Sequence, residues 1–101
     1  MARIVLTASA RRDLDEIWDY VAVENHSPGA ADNQLDEIGR RLELVADQPS
    51  TGESVDRLRK NTRRIIVKKR FLVFYETIDG GIWVLRILHG ARLISREDLP
   101  G

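Results

Sequence analysis

Cysteine is absent from the 101 residues. That excludes disulfide bridges, zinc–thiolate centres and thiol nucleophiles at once, and it fits a reducing cytoplasm. Histidine is nearly absent: His26 and His89 are the two copies, too far apart for HExxH or another local metal-ligand cluster. Neither GxGxxG nor GxxxxGK[ST] occurs, so no metal and no cofactor is expected. Long apolar runs are missing as well. "FLVFY" and "IWVL" fall far short of the ~18 residues that span a bilayer, and the apolar run in "MARIVLTASARRDL" is too short for a secretory signal. There is no internal repeat and no low-complexity segment. These absences leave a soluble, cytoplasmic, single domain spanning 1–101, large enough for one core and with no membrane partner.

Net charge is also missing, at +0, yet the charges are sharply segregated. Residues 13–56 hold twelve of the sixteen acidic residues and only Arg40 and Arg41 as basic ones. Residues 57–70, "RLRKNTRRIIVKKR", hold eight of the sixteen basic residues and no acidic one. Two electrostatically distinct faces, or two segments that neutralise each other across the fold, both satisfy this pattern. The basic run contains no aromatic residue and so lacks the stacking platform of single-strand RNA binders. It suits phosphates, an acidic protein segment, or a plain solvated face.

"RIVLT" (Arg3–Thr7) reads as a buried strand, with Thr7 as N-cap of the helix that follows. Along that helix Leu14, Ile17, Trp18 and Val21 form an apolar stripe, with Asp13, Asp15, Glu16 and Asp19 assigned to the outer face. "NHSPGAAD" breaks and restarts the helix, Ser27 capping and Pro28 standing at the first helical position. The second helix runs to about Asp47, with Ala31, Leu35, Ile38, Leu42 and Val45 buried and Pro49 beyond its end. After a polar connector come three strand candidates, "RRIIVKK", "RFLVFYETI" and "GIWVLRILHG". Asp79–Gly81 between the last two is a hairpin signal. The order β-α-α-β-β-β predicts an α+β fold, an antiparallel-rich small sheet with the helical hairpin packed on one face.

"VLRILHGARL" (Val84–Leu93) places charge at the end of a strand that otherwise reads as core. Metal-free RNA cleavage needs a base, an acid and cations around the phosphate. His89, Glu53 or Glu76, Arg86 and Arg92 are the residues available for those roles. On a regular strand residues 86 and 89 point to opposite faces and converge only through a bulge or the Gly90 break. The structural readings stand beside this: His89 bonded to backbone at a strand end, and Arg86 paired with a carboxylate of the acidic helices. Trp18 fits core at helical spacing or a partner contact, and Trp83 is open to both.

"DLDEIWDYVA", "RRLELVADQPSTG", "RFLVFYE" and "VLRILHGAR", in this order and spacing over nearly the whole chain, resemble the ParE branch of the RelE/ParE toxin superfamily of type II toxin–antitoxin modules. The resemblance implies a cognate, ParD-like antitoxin whose extended tail wraps and blocks the toxin. ParE-type toxins inhibit DNA gyrase, whereas RelE-type toxins cut messenger RNA on the ribosome. RelE-type nucleases carry an arginine just after the first aromatic of the "FLVFY"-like strand, where this chain has Leu72. They also carry a tyrosine or histidine shortly beyond the final glycine–x–arginine element. Arg92 matches that arginine, but "LISREDLPG" supplies neither aromatic. The resemblance therefore implies a non-enzymatic gyrase inhibitor with no catalytic residues. The alternatives are a ribosome-dependent endoribonuclease using His89, Arg86 and Arg92, or an inactive toxin-fold binding protein. Target or antitoxin contacts are expected at Arg57, Arg59, Arg63, Arg64, Lys68, Arg70 and Arg92, with no direct nucleic-acid binding by the chain alone.

Overall fold

The computed structural model describes residues 2–90 and 96–100. Strand β1 (Arg3–Leu6) leads into helix α1 (Ala8–Glu24). Thr7 makes the junction: its hydroxyl accepts from the Ala10 N–H (3.0 Å) and donates to the Leu85 carbonyl (2.8 Å). One side chain thus satisfies an orphan helix donor and pins the helix start to the sheet. His26 turns the chain at a φ of 50°. Ser27 then caps helix α2 (Pro28–Asp47) by accepting from the Ala30 N–H, with Pro28 at the helix start as the sequence predicts. Trp18 on α1 donates its indole N–H to the Asp32 carboxylate on α2 (2.8 Å) while its ring packs against the core.

The connector contains more structure than its polarity suggests. A 3₁₀ turn (Pro49–Thr51) and a two-residue strand β2 (Glu53–Ser54) precede β3 (Thr62–Val67), β4 (Phe71–Ile78) and β5 (Gly81–His89). The five strands lie in the order β1-β5-β4-β3-β2, all neighbours antiparallel except β1 and β5, which are parallel. The α+β architecture with a helical hairpin on one face is the one expected, with β2 added at an edge. Tyr75 fastens that addition. Its buried hydroxyl donates to the Pro49 carbonyl (2.6 Å) and accepts from the Gly52 N–H (2.9 Å). Burial pushes the phenol pKa up, opposed by the Gly52 N–H and the Arg63 charge.

The helices cover one face of the sheet over Val67, Phe71, Val73, Tyr75, Val84 and Ile87. On the other face Val55, Leu58 and Leu99 close a second, smaller cluster over Leu72, Phe74, Trp83, Leu85 and Leu88. Strand β5 serves both layers through a bulge. Arg86 pairs with Phe74 and Val84 with Tyr75, leaving Leu85 as the extra residue. Ile82 and Val84 face the helices before the bulge and Ile87 after it. Without the shift, Arg86 would fall on the helix-facing side.

The sequence reading extends the strand "RRIIVKK", the observed β3, through Lys68 and Lys69, but both leave it. They sit at φ values of 55° and 57°, and the Arg70 N–H bonds the Val67 carbonyl at 3.1 Å. This is a type I′ turn, which favours Asn-Gly. Two lysines there carry the left-handed penalty of roughly 1–2 kcal/mol per residue. Lys69→Gly is therefore expected to raise stability by about 0.5–1 kcal/mol after glycine's own entropic cost, read as a higher urea midpoint at unchanged slope.

Candidate functional site

Strand β1 ends opposite Val84, so the last residues of β5 have no strand beside them on that side. Asp13 of α1 fills the gap. The sequence assigns it to the outer face, but it is 6% exposed. Its carboxylate accepts from Arg86 Nε (2.7 Å), Arg86 Nη2 (2.9 Å) and the Ile87 N–H (2.9 Å). It therefore does for the open strand edge what a neighbouring strand would do, and it neutralises the arginine. The third guanidinium nitrogen, Nη1, donates to the Asp98 carbonyl at 2.9 Å. The Asp13 hydrogen bonds hold the Arg86 pKa above its ordinary value, against the opposing effect of partial burial.

This pair forms one wall of a cleft of about 320 Å³ that Glu16, Tyr20 and His89 also line. His89 is exposed. Its ring meets Tyr20 edge-on (4.7 Å between centroids) and lies tilted against Phe71 (5.1 Å). Its Nε2 is 3.3 Å from the Arg70 guanidinium. The Tyr20 hydroxyl pKa is raised chiefly by a hydrogen bond to Glu24, with Arg70 opposing. The bulge precedes Arg86, so pairing from Arg86 to His89 is regular and the two leave the strand on opposite sides, yet both line the cleft.

The other candidate groups are dispersed. Glu53 pairs with Arg64 on β2 and β3, two strands removed from β5. Glu76 pairs with Arg59 at 3.1 Å. Arg92 lies outside the described residues. The structure therefore brings His89 together with Arg70, two rings and, across a shared cleft, Arg86, but not with Glu53 or Glu76.

The basic run is not one face. Arg59 lies over the Trp83 ring (5.8 Å) and donates to the Pro100 carbonyl. Arg63 donates to the Gly52 carbonyl at 2.6 Å, and Lys68 pairs with Glu37 of α2 at 2.7 Å. Arg57 is exposed. Among the described residues two ion pairs, Arg64–Glu53 and Lys68–Glu37, join the basic run to the acidic segment. Among the described residues, no cluster of three or more His, Cys, Asp or Glu could hold a metal ion, and no helix is long and apolar enough to cross a membrane.

Comparison with known proteins follows this geometry. Residues 4–94 match the family model described as "ParE toxin of type II toxin-antitoxin system, parDE". The chain belongs to the ParE toxin family. It is 28% identical over 96 residues to Toxin ParE1 of Mycobacterium tuberculosis, covering 95% of this chain and 97% of that one. It is 33% identical over 94 residues to Toxin RelE2 of Caulobacter vibrioides, covering 92% and 100%. A solved chain from a chromosomal ParDE TA system of P. aeruginosa superposes with a TM-score of 0.74 at 21% identity, over 90% of this chain and 98% of that one. That likeness shows the fold. The ParE family contains type II toxins, and this chain is one.

The sequence reading missed Asp13 as a partner, although a signal was present. Asp13 lies three residues after Ala10 and four before Ile17, both buried, so it occupies the apolar stripe itself.

Proposed function

We propose that this ParE-family toxin acts by binding DNA gyrase, without cutting RNA, and is held inactive by a cognate antitoxin. Gyrase as target places its action in the cytoplasm. The observation that carries the reading is the commitment of Arg86. Each of its three nitrogens donates to Asp13 or Asp98, so the guanidinium is oriented by the α1–β5 junction, and only one N–H on each Nη is left for another acceptor. Leu72, at the position where RelE-type nucleases carry arginine, packs in the second apolar cluster. The antitoxin reading draws on the family match and on the ParDE system to which the solved relative belongs.

A ribosome-dependent endoribonuclease is the second reading, favoured by the 33% identity to Toxin RelE2. Purified protein is expected to inhibit gyrase supercoiling and to leave ribosome-bound messenger RNA intact. His89→Gln keeps hydrogen-bonding capacity but cannot shuttle protons, and it is expected to retain growth arrest. Codon-specific cuts with supercoiling untouched would sink the gyrase reading. So would a folded His89→Gln protein that has lost toxicity. Co-expression of the reading frame adjoining the toxin's own is expected to relieve the arrest; persistent arrest would remove that frame as the antitoxin.

A further inference from the structure

Strand β1 closes one end of the sheet, with β5 on one side and no strand on the other. The Arg3 and Thr7 N–H groups bond carbonyls at Gly80 and Val84. Peptide direction alternates along a strand, so Ile4 and Leu6 turn their N–H and C=O groups outward. Nothing in β1 guards this edge against pairing: its register is unbroken, it has no proline, and Arg3 is its one charged residue. Val5, between the two outward residues, is a large aliphatic left bare at 36% exposure. A depression of about 450 Å³ adjoins the edge, lined by Ala2 and Ile4 and by Glu43 and Asp47 of α2.

The helix ends here carry charge of the unfavourable sign. Asp47 is the last residue of α2, Glu43 lies one turn before it, and the last turn has no basic residue. Carboxylates are destabilising at a helix C-terminus and repel each other at i, i+4. The first turn of α1 contains no acidic residue, and Arg11 and Arg12 follow it. All four residues are exposed, and none forms an ion pair among the described residues.

We infer that the β1 edge pairs with β1 of a second copy of this chain, antiparallel about a twofold axis at Val5. That axis sets Ile4 of each copy opposite Leu6 of the other, and each such pair exchanges both of its N–H···O bonds. Val5 then meets its own counterpart at the closer, non-hydrogen-bonded spacing. The same register sets Ala2, beside Glu43 and Asp47, opposite Ala8, the first residue of α1. The two carboxylates of each copy thus meet the positive end of the other copy's α1 and its two arginines. Self-complementarity selects a second copy over an unrelated partner, because one twofold axis satisfies backbone, Val5 and charge together. The pairing concerns the toxin by itself and does not depend on its target.

The test is sedimentation equilibrium of the full chain alone over a concentration series. A monomer–dimer equilibrium is expected, and raising the protein concentration should slow hydrogen exchange at the Ile4 and Leu6 amides. Val5→Lys, at an exposed position, should weaken the dimer at least tenfold. So should Glu43→Arg/Asp47→Arg, and so should Arg11→Glu/Arg12→Glu. Mixing these two charge variants should restore the parent's affinity, because both helix contacts then join opposite charges. A monomer at every concentration, a dimer that leaves the Ile4 and Leu6 amides unprotected, or folded variants that dimerise like the parent would each overturn the pairing. A mixture that associates no better than either charge variant alone would overturn it too.

Discussion

Asp13→Ala is expected to cost the fold about 3–5 kcal/mol, the range for removing one partner of a buried ion pair. The substitution deletes the acceptor of three hydrogen bonds at once. Two of them leave Arg86 with an unpaired charge whose side chain is 22% exposed. The third leaves the Ile87 N–H without its acceptor, in the interior, where an orphaned donor costs roughly 1–3 kcal/mol. Arg86→Ala should fall at the lower end of the range, because Asp13 keeps the Ile87 N–H as a partner. Replacing both residues with apolar ones, Asp13→Leu/Arg86→Met, should recover much of the loss but not the part due to Ile87. Urea midpoints of the three variants decide the matter. An Asp13→Ala protein within about 1 kcal/mol of the parent would show that the carboxylate does not hold α1 to β5.

The parts of this fold legible in the sequence are those set by neighbours along the chain. Thr7 and Ser27 cap helices because a side-chain oxygen reaches an amide three residues on. Asp79–Gly80 forms the β4–β5 turn because Gly80 takes a φ of 79° without a Cβ to clash. What was not legible depends on residues far apart. Asp13 is polar by type and core by position, and the difference is made by Arg86, 73 residues away. Each of the two is out of place by residue type alone, and the pair explains both. The bulge at Leu85 has the same origin: alternation from Ile82 and Val84 would put Arg86 among the helices, and one extra residue installs Ile87 instead. Lys68 and Lys69 continued an apolar strand on paper, yet the short connection between β3 and β4 forces them into the turn. Charge along the chain did not reveal that Arg59, Arg63 and Arg64 also have partners within the fold.

The parallel edge of the sheet depends on a single missing atom. Gly81 pairs with Arg3, and a Cβ built on it would lie 1.9 Å from the Arg3 carbonyl oxygen and 2.7 Å from the Arg3 carbonyl carbon and nitrogen. Those atoms are backbone and cannot swing aside as a side chain would. Gly81→Ala must therefore drive β1 from β5. That breaks the bond from the Arg3 N–H to the Gly80 carbonyl (2.7 Å) and the one from the Thr7 N–H to Val84 (3.1 Å). It also withdraws Ile4 and Leu6 from the core they pack against. Ordinary overpacking costs about 1–3 kcal/mol; expelling a strand should exceed it, at about 4 kcal/mol or more. Gly39 supplies the control, since a Cβ there meets nothing within 4 Å. Inside α2, Gly39→Ala should stabilise by up to about 1 kcal/mol through helix propensity. The two substitutions change the same atom, so opposite signs in the urea midpoint would assign the difference to strand contact. Hydrogen exchange gives the second readout: in Gly81→Ala the amides of Arg3 and Thr7 should lose protection before those of β3 and β4. Retained protection of those two amides, with stability near the parent's, would mean that β1 does not approach β5 closely at Gly81.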